Sequence, residues 1–318
     1  MSDIVPVPRN VIFVGGPGRS GTSFVADRLG RHPDVCLLPD IELKLFTEKN
    51  GVLDLFHALV QTYSPNRATV ALDQFRKFFL ALVDGRFGQP GLATISSRQE
   101  WLGMLDAFLE RLISGGQAGP APADTLLDAA RDLLWRIAEV AARDAPSRAV
   151  PAVFLEKTPH ALLAIDFLAR IVPGASYVHV MRDPRSIAYS LRRMRWGPDE
   201  LADCCTWVSN YLAAWLRSRE TAARLGIFPA SIRIEAVAAS PRDSSEFVCR
   251  RMSLAPHREL FSGADLSTLN GWTETCPETE RELLDSRLSS WAARFGYSAA
   301  DIGSPDCSNE PSADLVCA

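Results

Sequence analysis

The sequence predicts an α/β fold, a central parallel β-sheet flanked by helices, with a large helical insertion spanning about residues 46–150. Three observations point there. Short apolar, β-branched runs alternate with stretches of helical period. Such alternation builds a parallel sheet covered on both faces, whose strands read as continuous apolar runs. The alternation stops after residue 46 and resumes at residue 152. Glycine, hydroxyl and basic residues cluster just after the strands, where ligands bind in open sheets of this kind.

The first strand is Val11-Ile12-Phe13-Val14, which runs into Gly15-Gly16. A helix is expected from about Ser20 to Leu29, stopped by Gly30 and Pro33. Residues 35–38 form a second strand. Between about 46 and 149, apolar residues recur at helical spacing, as in Leu53, Phe56, Leu59 and Val60, or Leu126, Leu127, Leu133, Leu134 and Ile137. Gly/Pro-rich breaks at residues 85–91 and 115–122 divide that stretch. Strands follow at 152–155 and 176–181, with a helix near 162–170 between them. The next helix begins at Pro184, with Asp183 as its cap. A long helix covers about 201–225, with Trp207, Tyr211 and Trp215 on one face. A strand at 231–234 and helices near 243–252 and 278–295 complete the pattern. Residues 8–298 are expected to form a single domain, and 303–318 a flexible tail rich in Ser, Pro and Asp.

Composition narrows the function classes. Of 318 residues, 47% are hydrophobic and 23% charged, the balance of a folded globular protein. With 34 basic and 38 acidic residues the net charge is −4, which excludes a general nucleic-acid coat. Any polyanion site must therefore be local. No apolar run approaches the ~18 residues of a membrane span, and the first ten residues carry no signal-peptide pattern. The seven cysteines are odd in number and contain no Cys-x-x-Cys. Reduced thiols in a cytoplasmic protein are the expectation. The sequence does not reveal the oligomeric state.

The chemistry begins at Gly15-Gly16-Pro17-Gly18-Arg19-Ser20-Gly21-Thr22-Ser23, between strand and helix. Glycines admit an anion close to the backbone, and a helix N-terminus offers amide donors and a positive dipole end. Ser20, Thr22 and Ser23 add hydroxyls, and Arg19 adds charge. The loop is P-loop-like: Gly16 and Gly21 have the spacing of G-x-x-x-x-G-K-[ST], but Thr22 occupies the lysine position. Such a loop suits a phosphate that is bound but not transferred.

Arg19-Ser20-Gly21-Thr22-Ser23, followed by His32-Pro33-Asp34-Val35, resembles the 5′-phosphosulfate loop of sulfotransferases that use 3′-phosphoadenosine 5′-phosphosulfate (PAPS). The nearest likeness is to the subgroup of tyrosylprotein and heparan-sulfate enzymes and their bacterial relatives. Arg182, which leaves a strand, and Ser190, eight residues on, resemble the family's 3′-phosphate motif. An arginine fork suits a terminal phosphate. Taken alone, Ser190 could equally bond back onto its own helix. The resemblance implies donor contacts from Gly18, Arg19, Ser20, Gly21, Thr22, Ser23, Arg182 and Ser190.

Sulfuryl transfer needs a base for the acceptor and cations for the sulfonate and leaving phosphate, much as phosphoryl transfer does. Glu156-Lys157-Thr158-Pro159 resembles the family's Lys-Ser/Asp/Thr-Pro segment, which implies that Lys157 acts on the sulfonate with Arg19 beside it. The resemblance implies a carboxylate base shortly after the His-Pro-Asp segment, with Glu42 favoured and Asp40 the alternative. Glu42-Leu43-Lys44-Leu45-Phe46 resembles a Glu-x-His-Phe-Phe pattern with Lys44 in the histidine's place, while Asp40 has the tyrosylprotein spacing. His160 could touch the acceptor or be structural. Arg233-Ile234-Glu235, Asn270-Gly271-Trp272 and Phe295-Gly296-Tyr297 also look familiar. The resemblance covers about residues 9–42 and 152–297 and implies no metal.

The expectation is a PAPS-dependent enzyme acting on a hydroxyl, less readily an amine, of a small-molecule, lipid, glycan or peptide acceptor. The apolar insertion hints at an apolar one. A P-loop kinase or NTPase, and a non-catalytic nucleotide-binding module, are the alternatives.

Overall fold

The computed structural model describes residues 8–115, 119–143, 151–263, 269 and 271–297. The expected tail at 303–318, and Asn270, lie outside the described residues. The strands are β1 (Asn10–Gly15), β2 (Val35–Leu37), β3 (Val153–Lys157), β4 (Ser176–Met181) and β5 (Ala230–Arg233). They form one parallel five-stranded sheet, ordered β2-β3-β1-β4-β5 and flanked by helices. The α/β expectation holds. By packing, the chain divides into two compact units, Met1–Phe13 with Pro33–Ser176 and Val14–His32 with Tyr177–Ala318.

The first unit pairs β2 with β3 in the register Val35↔Val153 and Leu37↔Leu155. Its helices are α2 (Val52–Phe56), α3 (Pro65–Val83), α4 (Arg98–Gly115), α5 (Ala123–Arg143) and α6 (Ile165–Ile171). Ser64 caps α3 by accepting from the Arg67 amide, with Pro65 in the first helical position. Leu126, Ala130, Leu133, Ile137 and Ala141 give α5 a buried stripe at spacings of three and four. That stripe lets α5 pack on β2, β3, α4 and α6. Arg131 satisfies the end of α6, donating to the carbonyls of Arg170 and Ile171. Phe75, Phe79 and Trp101 are fully buried, and the Trp101 indole donates to the Leu92 carbonyl at 2.8 Å. The apolar residues of α3–α5 thus largely fill their own core, and they carry no argument about an apolar acceptor.

The second unit pairs β4 with β5 and carries α1 (Thr22–Leu29), α7 (Pro184–Leu191), α8 (Leu201–Arg224), α9 (Ile234–Ala239), α10 (Pro241–Arg251), α11 (Gly271–Thr275) and α12 (Glu278–Arg294). Asp183 caps α7 through the Arg185 amide, as its sequence requires. Tyr211 and Trp215 of α8 are core, whereas Trp207 is only half-buried. The Trp215 ring stacks on His179 of β4 at 3.9 Å. Burial pushes the His179 pKa down to about 3, so this imidazole is neutral and structural.

Most strand ends shift by one residue from the sequence reading, and three boundaries next to the candidate site differ for a physical reason. Helix α1 starts at Thr22 rather than Ser20, because Gly21 takes a left-handed φ of 98° that no helix continues. Strand β3 runs on through Glu156 and Lys157, both buried, instead of ending at Leu155. Strand β5 ends at Arg233, and Ile234 opens α9. Among the described residues no helix is long and apolar enough to cross a membrane.

Candidate active site

The anion-binding candidates belong to the second unit. Gly16 sits where a side chain is impossible: a Cβ there would lie 2.2 Å from the Val180 carbonyl oxygen and 2.7 Å from Ser20 Oγ. The loop therefore lies close against the C-terminal end of β4. Arg19 adopts φ 73°, costly for a side chain with a Cβ and the kind of strain found at ligand clamps. Gly18 is also hemmed in, with Trp196 and Trp207 ring carbons 2.9 and 3.6 Å from the place of a Cβ. Trp196 itself is exposed.

Ser20 is fully buried and its Oγ has no hydrogen-bond partner. A buried hydroxyl left unpaired costs about 1–3 kcal/mol, so a polar group brought to Ser20 Oγ would gain a hydrogen bond there. Thr22 is buried and Ser23 exposed. Helix geometry leaves the first amides of α1 without intrahelical acceptors.

The second anion motif adjoins this loop. Arg19 Nε donates to Ser190 Oγ at 3.1 Å, so Ser190 meets the loop arginine. Arg182 is half-buried. Its Nη2 donates to the Leu269 carbonyl, while its Nε is buried without a partner. Burial lowers the Arg182 pKa from its ordinary value, and Arg19 lowers it further. Glu235 and Asp183 act in the opposite sense on Arg182, so its guanidinium stands between acidic neighbours and the Arg19 charge. The turn after Arg182 is held by Glu235, whose Oε1 accepts from the Asp183 amide at 2.9 Å and whose Oε2 accepts from the Tyr297 hydroxyl at 3.2 Å. Burial raises the Glu235 pKa. Glu235 and Tyr297 lie in segments whose family likeness was visible in sequence, but no spacing joined them.

The acid–base candidates belong to the first unit. Glu42 is half-buried, with Lys44 Nζ 3.2 Å from its Oε2. Lys157 is buried at the end of β3. Asp40 is exposed, in a left-handed turn at φ 56°. His160 Nδ1 lies 3.3 Å from Glu48 Oε1, and this bond holds the Glu48 carboxyl below its usual range.

Glu156 lies among these groups, and sequence reasoning gave it no role. Burial pushes its pKa up to about 8, so it is largely protonated near neutrality. Thr158 Oγ1 donates to Glu156 Oε1 at 2.5 Å and accepts from the Lys44 amide at 2.9 Å. Glu42, Glu48 and Lys157 all act electrostatically on Glu156. The structure therefore gathers Glu42 and Lys157 around Glu156, and Arg19, Arg182 and Ser190 around the loop. Among the described residues no group of three or more His, Cys, Asp or Glu side chains has the arrangement of a metal site.

No curated protein sequence matches the chain. Similar solved structures include a sulfotransferase domain from the Synechococcus PCC 7002 olefin synthase, 15% identical over 89% of this chain and 88% of that one, TM-score 0.44. The sulfotransferase STF9 of Mycobacterium avium is 16% identical over 92% and 78%, TM-score 0.43. A sulfotransferase domain from the curacin biosynthetic pathway is 16% identical over 89% and 98%, TM-score 0.45. The sequence profile of the sulfotransferase family matches residues 11–255, and the chain belongs to that family.

Proposed function

We propose that the protein transfers a sulfuryl group from PAPS to a hydroxyl, less readily an amine, of a small-molecule, lipid, glycan or peptide acceptor. The observation that carries this is the loop: a fully buried, unpartnered Ser20 Oγ in a turn where Gly16 has no room for a side chain. A phosphate oxygen supplies the acceptor that Ser20 lacks. The unpartnered Arg182 Nε, together with Ser190 and Arg19, fits a second phosphate, which a 3′,5′-substituted nucleotide has. These residues fit the donor. Thr22 in the lysine position argues against transfer of a nucleotide's terminal phosphate.

In this proposal Gly18, Arg19, Ser20, Gly21, Thr22 and Ser23 hold the 5′-phosphosulfate, and Arg182 and Ser190 the 3′-phosphate. Glu42 takes the proton from the acceptor hydroxyl. The acceptor oxygen bonds to sulfur, the bond from sulfur to the phosphate oxygen breaks, and adenosine 3′,5′-bisphosphate (PAP) leaves. Lys157 and Arg19 stabilise the charge that grows on the leaving phosphate, where fixed cations contribute most. The half-buried, ion-paired Glu42 suits the base better than the exposed Asp40. Glu156, kept neutral by burial, sits beside Glu42 without adding a second negative charge.

The test is PAP formation from PAPS against a panel of phenols, hydroxylated lipids, glycans and tyrosine peptides. At least one acceptor should yield sulfated product and equal PAP. Hydrolysis of Mg²⁺-ATP without any binding of PAP would instead support the kinase reading.

A further inference from the structure

The proposed base sits on irregular backbone. Between β2 and α2 lies a segment without regular secondary structure that includes Asp40 and Lys44, both at φ 56°. Left-handed backbone at a non-glycine residue costs about 1–3 kcal/mol and persists only where surrounding structure imposes it. Something outside the segment must hold Glu42.

The holder is the turn after α3. Gln89 grips the backbone of Glu42 on both sides: the Glu42 amide donates to Gln89 Oε1 at 3.0 Å, and Gln89 Nε2 donates to the Glu42 carbonyl at 2.8 Å. Only one orientation of the carboxamide satisfies both bonds, so the amide is fixed by its partners. The turn is built to present this side chain. Gly85 and Gly88 take φ of 73° and 70°, and a Cβ on Gly91 would lie 2.4 Å from the Val83 carbonyl oxygen. From the same turn, the Phe87 ring packs on Phe78 at 5.3 Å and faces Lys44 Nζ at 6.0 Å. Two residues beyond Glu42, the Lys44 amide is tied to Thr158. The Gly-rich break in the helical insertion is therefore a bracket on the segment that carries Glu42.

We propose that Gln89 is a positioning residue for Glu42, fixing the backbone from which its carboxylate reaches the acceptor proton. This rests on Glu42 being the base. A base acts within about 2.6–3.2 Å of its proton, and a misplacement of about 1 Å can cost on the order of 100-fold. Helices and strands give a residue such precision through their own ladders. This segment obtains it from a side chain 47 residues away.

The test compares Gln89→Met, Gln89→Glu, Glu42→Gln and the double variant Gln89→Met/Glu42→Gln. Gln89→Met keeps the shape and removes both bonds. Gln89→Glu keeps the acceptor for the Glu42 amide and loses the donor. The readouts are kcat and KM for PAPS, with water or a panel hydroxyl as acceptor, PAP affinity by calorimetry, and hydrogen exchange across residues 40–46.

Gln89→Met should lower kcat about 10–100-fold, while KM for PAPS and PAP affinity stay within twofold and exchange at residues 40–46 quickens. Gln89→Glu should fall between wild type and Gln89→Met. Added to Glu42→Gln, Gln89→Met should cost nothing further. With Glu42→Gln inactive, wild-type kcat or wild-type exchange in Gln89→Met overturns the positioning role alone. A Gln89→Met loss that multiplies with that of Glu42→Gln also overturns it, because the effect then bypasses Glu42. A fully active Glu42→Gln removes the assigned base, and this inference falls with it.

Discussion

The anion loop and the carboxylate cluster differ in how well each satisfies itself. In the loop region two buried polar atoms, Ser20 Oγ and Arg182 Nε, have no partner, and two arginines repel each other. In the cluster Glu42 pairs with Lys44, Glu48 with His160, and Glu156 with Thr158. The first leaves polar groups unpaired, which is what the proposed anion site requires. In the second, each carboxylate has a side-chain partner of its own. The difference separates binding from chemistry: variants of the loop should alter donor affinity, and variants of the cluster should alter turnover.

The sharpest break would come at Glu42. Glu42→Gln should reduce sulfuryl transfer on the order of 10³-fold, within the range for a general base, while PAP affinity is unchanged. Asp40→Asn should stay within a few-fold of wild type. The reverse result moves the base to Asp40. Next in size is Arg182→Ala. Loss of charge-assisted bonds worth about 1.5–3 kcal/mol should weaken PAP about 10–100-fold by calorimetry.

Glu156 tests the cluster through pH. Its folded pKa of about 8 lies above the ordinary 4.5, so between those values the native state keeps a proton that the unfolded chain has lost. Its contribution to stability is therefore present at low pH and falls as pH rises from about 4.5 to 8. Denaturant unfolding at several pH values should show wild type losing stability relative to Glu156→Gln across that window. Parallel curves would mean that Glu156 is ionised like an ordinary carboxylate.

The smallest effect is at Ser20. Removing an unpaired buried hydroxyl should raise the ligand-free stability of Ser20→Ala by about 1 kcal/mol while reducing the stabilisation by PAP. A Ser20→Ala protein less stable without ligand would show that the hydroxyl is already satisfied.

Legibility in the sequence followed how local each feature is. The loop is contiguous and reads as an anion site from its own residues, whereas Arg182, just after β4, and Ser190, inside α7, were named through their resemblance to a family motif. The cap Asp183-Pro184 and the strand Ser176–Met181 were equally readable. The continuation of β3 through Glu156-Lys157 was not, because charged residues ordinarily end a buried strand and only tertiary burial keeps them in one. Gln89 was also invisible. Its role lies in side-chain bonds to a backbone 47 residues away, and its turn reads only as a glycine-rich break. The long-helix aromatics divided: Tyr211 and Trp215 entered the core, and Trp207 lies beside Gly18.

The proposed function requires this loop and Arg182 to hold a nucleotide with phosphates at both 3′ and 5′ positions. The most direct measurement is calorimetric titration of wild type and Arg182→Ala with PAP, adenosine 5′-monophosphate and Mg²⁺-ATP. Wild type should bind PAP at least about tenfold more tightly than adenosine 5′-monophosphate, a difference of about 1.4 kcal/mol, and Arg182→Ala should lose that preference. Equal binding of the two nucleotides by wild type, or binding of Mg²⁺-ATP alone, would contradict it.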